Sequence, residues 1–305
     1  MKKLNLFKRI VSTSKMLAVV SFTAIAFSSC QKMDMPELNE NVTDNKNVSL
    51  SLPGLTGSSV KAVCNGSLWN FNTTTGVLSN EKAIGGLHNI AYYGKYYFTY
   101  FDNYTNHQLY EWSGNPLDEP VWKCSLAETN PPRVITVDEI EFDPTTGKLW
   151  TLYGSNLNRC DNINTGACVH VPVSIPSYAG RQTSLSFDKY GNLFITAVTS
   201  LSTTTRTVIQ YKINKSTGAV ISQTSTTLPT TTYNRVNVNM SGAFWQDNNT
   251  LYNNIYSKYY SGLNWFFIND IYKAPNGGGM TNITYNSNNV EDMTWYKPME
   301  IIGPK

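Results

Sequence analysis

Charged residues are scarce in this 305-residue chain: they make up 15% of it, against 41% hydrophobic and 12% aromatic residues. A composition this apolar excludes a disordered chain and is sufficient for the core of one folded domain. An excess of basic over acidic residues is also lacking beyond residue 29. Five of the 24 basic residues fall within the first 15 positions, and the chain after residue 29 carries 19 basic and 21 acidic residues. The overall charge therefore argues against nucleic acid as a partner.

Motifs for common cofactors are absent as well. The chain has three histidines, His88, His107 and His170, which are far apart in sequence, and it has no C-x-x-C pair. Zinc binding is therefore disfavoured. The sequence also contains no P-loop, dinucleotide-binding or zincin motif, and no Gly-His…Trp-Asp repeat of the WD40 kind.

The N-terminus has the three-part layout of a secretory signal peptide. A basic stretch, MKKLNLFKR, precedes an apolar run at residues 16–27, which is followed by Ser28, Ser29 and Cys30. The apolar run is about 12 residues long, which is too short to span a bilayer comfortably. The sequence thus predicts a signal peptide over residues 1–29.

The end of this segment, two small residues and then a cysteine, resembles the lipobox of bacterial lipoproteins. That resemblance implies that Cys30 carries the lipid and becomes the mature N-terminus. An ordinary signal peptide followed by a coincidental cysteine is the alternative. Residues 30–59 are polar and read as a flexible tether, and their start, QKMDMPE after the cysteine, is similar to tethers of outer-membrane and surface lipoproteins of Bacteroidota. The implied location is the outer membrane, with the domain on its periplasmic or its cell-surface side.

From residue 60 onward the pattern predicts an all-β domain, because period-2 alternation and turn clusters recur while no sustained helical stripe is present. A hairpin pattern occurs five times, with first apolar residues spaced 50, 45, 58 and 50 positions apart: HNIAYYGKYYFTY, DEIEFDPTTGKLWTLY, TSLSFDKYGNLFITAV, SGAFWQDNNTLYNNIY and EDMTWYKPMEII. A second hairpin alternates with it: LWNFNTTTGVL, LYEWSGNPLDEPVW, LNRCDNINTGACVHV, IQYKINKSTGAVIS and IYKAPNGGGMTNIT. Two hairpins per repeat predict a four-stranded sheet for each repeat. The turns of the second hairpin contain Thr-Gly, Ser-Gly or Gly-Gly, which suit hairpins.

Over residues 60–305 the chain resembles the β-propeller class, and lipid-anchored propellers of Bacteroidota in particular. The resemblance implies five four-stranded blades, in which strands from the two ends of the chain share one blade and close the ring. We expect three strands of that blade from the N-terminal side and one at residues 291–295. A two-plus-two closure that uses residues 299–302 is the alternative.

Four cysteines remain after Cys30, an even number in a chain predicted to be exported. Cys160 and Cys168 flank the turn of one hairpin, so their strands would be neighbours and a cross-strand disulfide is geometrically reasonable. Two unpaired thiols are the alternative. Cys64 and Cys124 fall in adjacent repeats, where a disulfide is less favoured.

In a propeller, the residues before each first strand surround the mouth of the central channel. Two repeats would place paired acids there, and crowded carboxylates suit a hard cation such as Ca²⁺ or acid/base chemistry. An ordinary wet channel, in which these residues only start strands, is the alternative. The candidate ligand-binding residues at this mouth are His88, Asn89, Asp138, Glu139, Glu291 and Asp292, and the other repeats contribute Thr183, Ser184, Ser241 and Gly242.

Loops on the same face are rich in aromatic and arginine side chains, which sugar rings and protein partners both use. The candidates are Arg181, Arg235, Tyr233, Tyr259, Tyr260 and Trp265, with Arg133, Tyr178 and Tyr104 in equivalent loops. The preferred hypothesis is a non-catalytic binding module of the cell envelope for a glycan or a protein partner, with no cofactor required. The alternative is a glycosidase-like carbohydrate-active enzyme that uses two carboxylates across the channel.

Overall fold

The computed structural model describes residues 59–64, 67–72, 78–83, 87–102, 105–113, 118–178, 182–201, 205–229, 235–245, 249–261, 264–288 and 300–302. All of them belong to the compact unit Val48–Lys305. The predicted signal peptide, Cys30 and the tether up to residue 58 lie outside the described residues. Within the described ranges, no helix has the length and apolarity needed to cross a membrane.

The secondary structure of the described residues is entirely β. The strands are β1 Ser59–Cys64, β2 Ser67–Asn72, β3 Leu78–Ala83, β4 Leu87–Tyr93, β5 Lys95–Asp102, β6 Thr105–Trp112, β7 Val121–Ser125, β8 Ala127–Thr129, β9 Pro132–Val134, β10 Glu139–Phe142, β11 Leu149–Tyr153, β12 Asn156–Asn162, β13 Ala167–Pro172, β14 Thr183–Phe187, β15 Leu193–Leu201, β16 Thr205–Ile213, β17 Val220–Pro229, β18 Arg235–Trp245, β19 Thr250–Ser261, β20 Asn264–Pro275, β21 Thr281–Asn288 and β22 Glu300–Ile302.

These strands form five sheets, four of them four-stranded. Three of the four-stranded sheets are antiparallel meanders of consecutive strands: β4 to β7, β14 to β17 and β18 to β21. The prediction of an all-β fold built from antiparallel four-stranded sheets is thus confirmed at this level.

One sheet departs from the four-stranded prediction. It has six strands, in the order β10-β11-β12-β13-β8-β9. The hairpin β8–β9 comes from the connection between two repeats, and β8 pairs in parallel with β13, with Ala127 opposite Ala167 and Glu128 opposite Cys168. Because β13 would otherwise end the sheet with unpaired backbone groups, the added hairpin covers an exposed edge.

Strands from both ends of the described chain share one sheet, in the order β22-β1-β2-β3. Ile302 lies opposite Lys61 and Glu300 opposite Val63. Three strands therefore come from the N-terminal side and one from the C-terminal side. The C-terminal strand is Glu300–Ile302, whereas the predicted strand at residues 291–295 lies outside the described residues.

The first strands of the sheets lie against one another. β4 contacts β10, β10 contacts β14, β14 contacts β18, β18 contacts β22, and β22 contacts β4. Every residue of β10 and β14 is buried. Where side chains are described, apolar clusters fill the spaces between successive sheets, as with Ile140 and Phe142 against Ala91 and Tyr97. Hydrophobic burial thus binds sheet to sheet.

The cysteines of the β12–β13 hairpin are joined. Cys160 and Cys168 are register partners, and their sulfur atoms form a disulfide. Cys124 is buried with a free thiol, and burial raises the pKa of that thiol to about 11 even though nearby Lys123 lowers it.

Candidate functional site

The first strands of four sheets finish on one common side of the molecule. The Tyr93 ring at the end of β4 stacks on Phe142 at the end of β10, with centroids 5.2 Å apart. Next along, Gly191 in the β14–β15 turn lies so close to Thr145 in the β10–β11 turn that an added Cβ would be 2.6 Å from the Thr145 hydroxyl.

The β18–β19 turn continues this row of contacts, because the Lys189 amide donates to Asn249 Oδ1 at 3.1 Å. We call this the turn side, defined by Tyr93, Thr145, Gly191 and Asn249. The opposite side, where β4, β10, β14 and β18 begin, is the entry side. Asn89, Asp138, Glu139, Thr183 and Ser184 lie toward the entry side, near the starts of their strands. Ser241 and Gly242, predicted to precede a first strand, instead lie within β18. Arg133 lies toward the turn side, because its register partner Glu128 is opposite Cys168 near the beginning of β13.

Asn89, near the start of β4, is a buried link between sheets. Its side-chain amide donates to Thr99 Oγ1 at 3.1 Å and to the Val137 carbonyl, just before β10, at 2.9 Å. The Asn89 side chain is 1% exposed. Its bond to the Val137 carbonyl joins the sheet of β4 to the segment that leads into β10. His88 lies beside it in β4, but its side chain is outside the described set.

The acids at the start of β10 are buried as well. Asp138 is 8% exposed and Glu139 7%, and the Asp138 amide donates to the Leu152 carbonyl at 2.9 Å. Glu139 and Glu141 alternate with Ile140, so their side chains share one face of the strand. Glu141 is 4% exposed, and its Oε1 accepts the backbone N–H of Phe142 at 2.9 Å.

Sequence reasoning missed Glu141, although the alternation E-I-E-F carried the signal. β10 is the edge strand of its sheet. The Glu141 carboxylate accepts a hydrogen bond from the backbone of β10, so it lies close to that edge. Among the described residues, however, no group of three or more His, Cys, Asp or Glu is placed to hold a metal ion. The other predicted pair of acids, Glu291 and Asp292, lies outside the described residues.

Backbone register brings four of the predicted loop residues to one end of the sheet β18–β21. Arg235 at the start of β18 lies opposite Tyr259 in β19, and Tyr260 lies opposite Trp265 in β20. The hairpin β19–β20 continues to the pair Ser261–Asn264, beyond the start of β18. This cluster, which we call the aromatic hairpin end, lies on the entry side because β18 begins there. Arg181 and Tyr233 lie outside the described residues.

Two further loop candidates already have structural partners. Arg133 makes a two-pronged ion pair with Glu128, with both N···O distances 2.8 Å. The hydroxyls of Tyr178 and Tyr211 lie 2.8 Å apart, and burial together with this hydrogen bond raises the pKa of Tyr178. Both side chains therefore hold segments together, although the Arg133 side chain remains 57% exposed.

No family model matches the sequence, and no curated protein matches it. Among solved structures, the chain is similar to the crystal structure of an ancestral GH74 enzyme, with a TM-score of 0.34 and 11% sequence identity over 75% of this chain and 34% of that one. The chain thus spans about a third of that enzyme's length. A likeness at this level assigns neither a fold nor a function.

Proposed function

We propose that the protein is a lipid-anchored binding module of the cell envelope, whose domain is a five-bladed β-propeller that holds a glycan on its entry side without catalysis. Five sheets and the cyclic order of contacts from β4 through β10, β14, β18 and β22 back to β4 support the propeller. A sheet shared by both ends of the chain would close the ring and remove two open edges.

The aromatic hairpin end is the observation that carries the binding role. It combines an arginine, two tyrosines and a tryptophan within two successive register positions. Aromatic rings offer flat apolar surfaces, and a guanidinium adds five hydrogen-bond donors. The pairs Arg235–Tyr259 and Tyr260–Trp265 occupy adjacent register positions and therefore belong to opposite faces of the sheet. Either pair suits the apolar face and hydroxyl edge of a sugar ring and requires no cofactor.

Native affinity electrophoresis through gels that contain soluble polysaccharides tests this role. We expect the full chain, purified in mild detergent, to be retarded by at least one polysaccharide, and Trp265→Ala or Tyr260→Ala to abolish the retardation. Tyr190→Ala is the matched control, because Tyr190 is 68% exposed but lies on the turn side. If no polysaccharide retards the wild-type chain, the glycan role is wrong, and a pull-down would then test an envelope protein as the partner.

The envelope location has its own test. If Cys30 carries the lipid, cells grown with a radioactive fatty acid should label the wild-type protein but not Cys30→Ala. Protease treatment of intact cells would then distinguish the cell-surface side from the periplasmic side. Equal labelling of the wild-type protein and the variant, or no labelling of either, would contradict the lipid anchor at Cys30.

The alternative is a carbohydrate-active enzyme, and the buried acids of β10 favour it. Glycosidases need two carboxyls, about 5 Å or about 6.5–9.5 Å apart. Asp138 or Glu139 would supply one, and Glu291 or Asp292 the other. Shortened polymer recovered from the affinity gel would support the enzyme, provided that Asp138→Asn and Glu291→Gln stop the shortening while retardation persists.

A further inference from the structure

A small polar cluster is enclosed between the sheets β14–β17 and β18–β21. Ser184 Oγ in β14 donates to Asn253 Oδ1 in β19 at 3.1 Å, and both residues are fully buried. Gly242, the register partner of Asn253, leaves room for this contact. A Cβ at Gly242 would lie 2.2 Å from Asn253 Oδ1 and 3.2 Å from Ser184 Oγ.

Near this hydrogen bond, three polar atoms have no hydrogen-bond partner among the residues that the structure describes: Asn253 Nδ2, Ser186 Oγ and Thr196 Oγ1. Their residues are all 0% exposed. Thr196 is the register partner of Ser184, and Ser186 follows Ser184 by two positions. Ser184, Ser186 and Thr196 therefore share one face of the sheet β14–β17. The bond from Ser184 to Asn253 identifies that face as the one turned toward β18–β21.

Three unpaired polar atoms in a dry interior would be expensive, since each loses its hydrogen bonds to water at a cost of about 1–3 kcal/mol. Native proteins place internal water at such positions, where it makes about two to four hydrogen bonds to buried polar groups. The chemistry of the three atoms suits water. The side-chain nitrogen of Asn253 can only donate, whereas each hydroxyl can accept a hydrogen bond and donate one.

We propose that this cluster binds internal water that bridges the two sheets. The water oxygen accepts from Asn253 Nδ2, and the water hydrogens are donated to Ser186 Oγ and Thr196 Oγ1. The water thereby extends the direct contact between Ser184 and Asn253 into a network that joins β14, β15 and β19. This role is independent of the proposed glycan site.

Magnetic relaxation dispersion of solvent water tests the proposal, because it detects water molecules that stay in a protein long enough to tumble with it. The double variant Ser186→Ala, Thr196→Val removes both hydroxyls and leaves the water a single partner. We expect the full chain in detergent to lose part of its dispersion amplitude and to have a lower Tm than the wild type.

The matched control is Ser225→Ala, Thr227→Val, which makes the same changes at exposed positions of β17. The control variant should leave the dispersion amplitude unchanged. Any change in its Tm reports only the effect of the substitutions on strand preference. If the cluster is dry, the double variant only removes unpaired hydroxyls, so its dispersion amplitude would equal that of the wild type. That equality overturns the proposal. If the double variant fails to fold, Thr196→Val alone is measured by the same criterion.

Discussion

The most informative perturbation of this fold is a single methyl group at Gly218, in the turn between β16 and β17. Gly218 has a φ of +71°, and a Cβ at this position would lie 1.8 Å from the Pro172 carbonyl oxygen of the neighbouring sheet. The Gly218 carbonyl accepts the amide of Ser174 at 3.1 Å. The turn therefore presses directly against the backbone that follows β13, and Gly218→Ala should force the two segments apart.

The expected loss can be built from separate contributions. An L-residue in the left-handed region costs about 1–2 kcal/mol. Relief of the contact requires a displacement of more than about 1 Å, which breaks the hydrogen bond between Ser174 and Gly218 at a cost of about 1 kcal/mol or more. The packing around Pro172 loosens as well. We therefore expect Gly218→Ala to reduce the free energy of unfolding by about 3 kcal/mol or more.

Gly94, in the turn between β4 and β5, provides the matched control. Its φ is +68°, and a Cβ there would meet nothing within 4 Å. Gly94→Ala should thus cost only the backbone contribution of about 1–2 kcal/mol. Urea denaturation of the full chain and both variants measures the difference. Equal losses in the two variants would refute the argument that the β16–β17 turn bears on the neighbouring sheet.

Four further predictions concern the ion pair and the cysteines. Lys215 Nζ lies 2.6 Å from the buried carboxylate of Asp143, so Lys215→Met, which leaves that charge unpaired, should lower the urea midpoint more than Asp143→Asn, by about 3–5 against about 1–2 kcal/mol. Burial raises the pKa of Asp143, but hydrogen bonds from Lys215 and nearby threonines outweigh it and hold that pKa below its usual value. The pair's stabilisation should therefore be present near pH 7 and be lost as the pH falls through the folded-state pKa, and Tm measured against pH should show an acid loss that Asp143→Asn lacks. Cys160→Ala, Cys168→Ala should cost about 2–3 kcal/mol by loop entropy, seen as a lower Tm under non-reducing conditions and the same Tm as the wild type in reductant. Peptide mapping after alkylation at pH 8 should find Cys124 modified only in denaturant, because its thiol is buried and its pKa is raised to about 11; rapid modification of the native protein would contradict this.

Local signals in the sequence predicted the repeating parts of the fold. The apolar anchors Ile140 and Leu185 are 2% and 0% exposed, as inner strand residues should be. The turns N-I-N-T-G and N-K-S-T-G were recognised from their residues, and both fold with the asparagine Oδ1 accepting a backbone amide two positions on. These features depend on neighbours within a few residues, so one sequence is enough to predict them.

Features that depend on distant partners could not be predicted in this way. The hairpin β8–β9 is short and has no strong alternation, and it is ordered by the parallel pairing of β8 with β13 and by the ion pair between Glu128 and Arg133. The C-terminal strand Glu300–Ile302 falls within residues 299–302, which the sequence offered only for a two-plus-two closure, and its place beside three N-terminal strands depends on pairing with the distant β1. Strands of three residues carry too few positions for periodicity to identify them.

The polar residues at the start of the first strands show how a site prediction and a packing role can share one signal. Asn89 and Ser184 are polar, adjacent to strand starts and arranged around the inner ends of the sheets, which is what a ligand ring requires. Yet each uses its side chain to bond the next sheet, through Val137 in one case and Asn253 in the other. Polar side chains at the starts of neighbouring strands can therefore serve to hydrogen-bond one sheet to the next just as well as to bind a ligand. Binding candidates are therefore best sought where the strands extend beyond these contacts, and the pair Tyr260–Trp265 meets that condition.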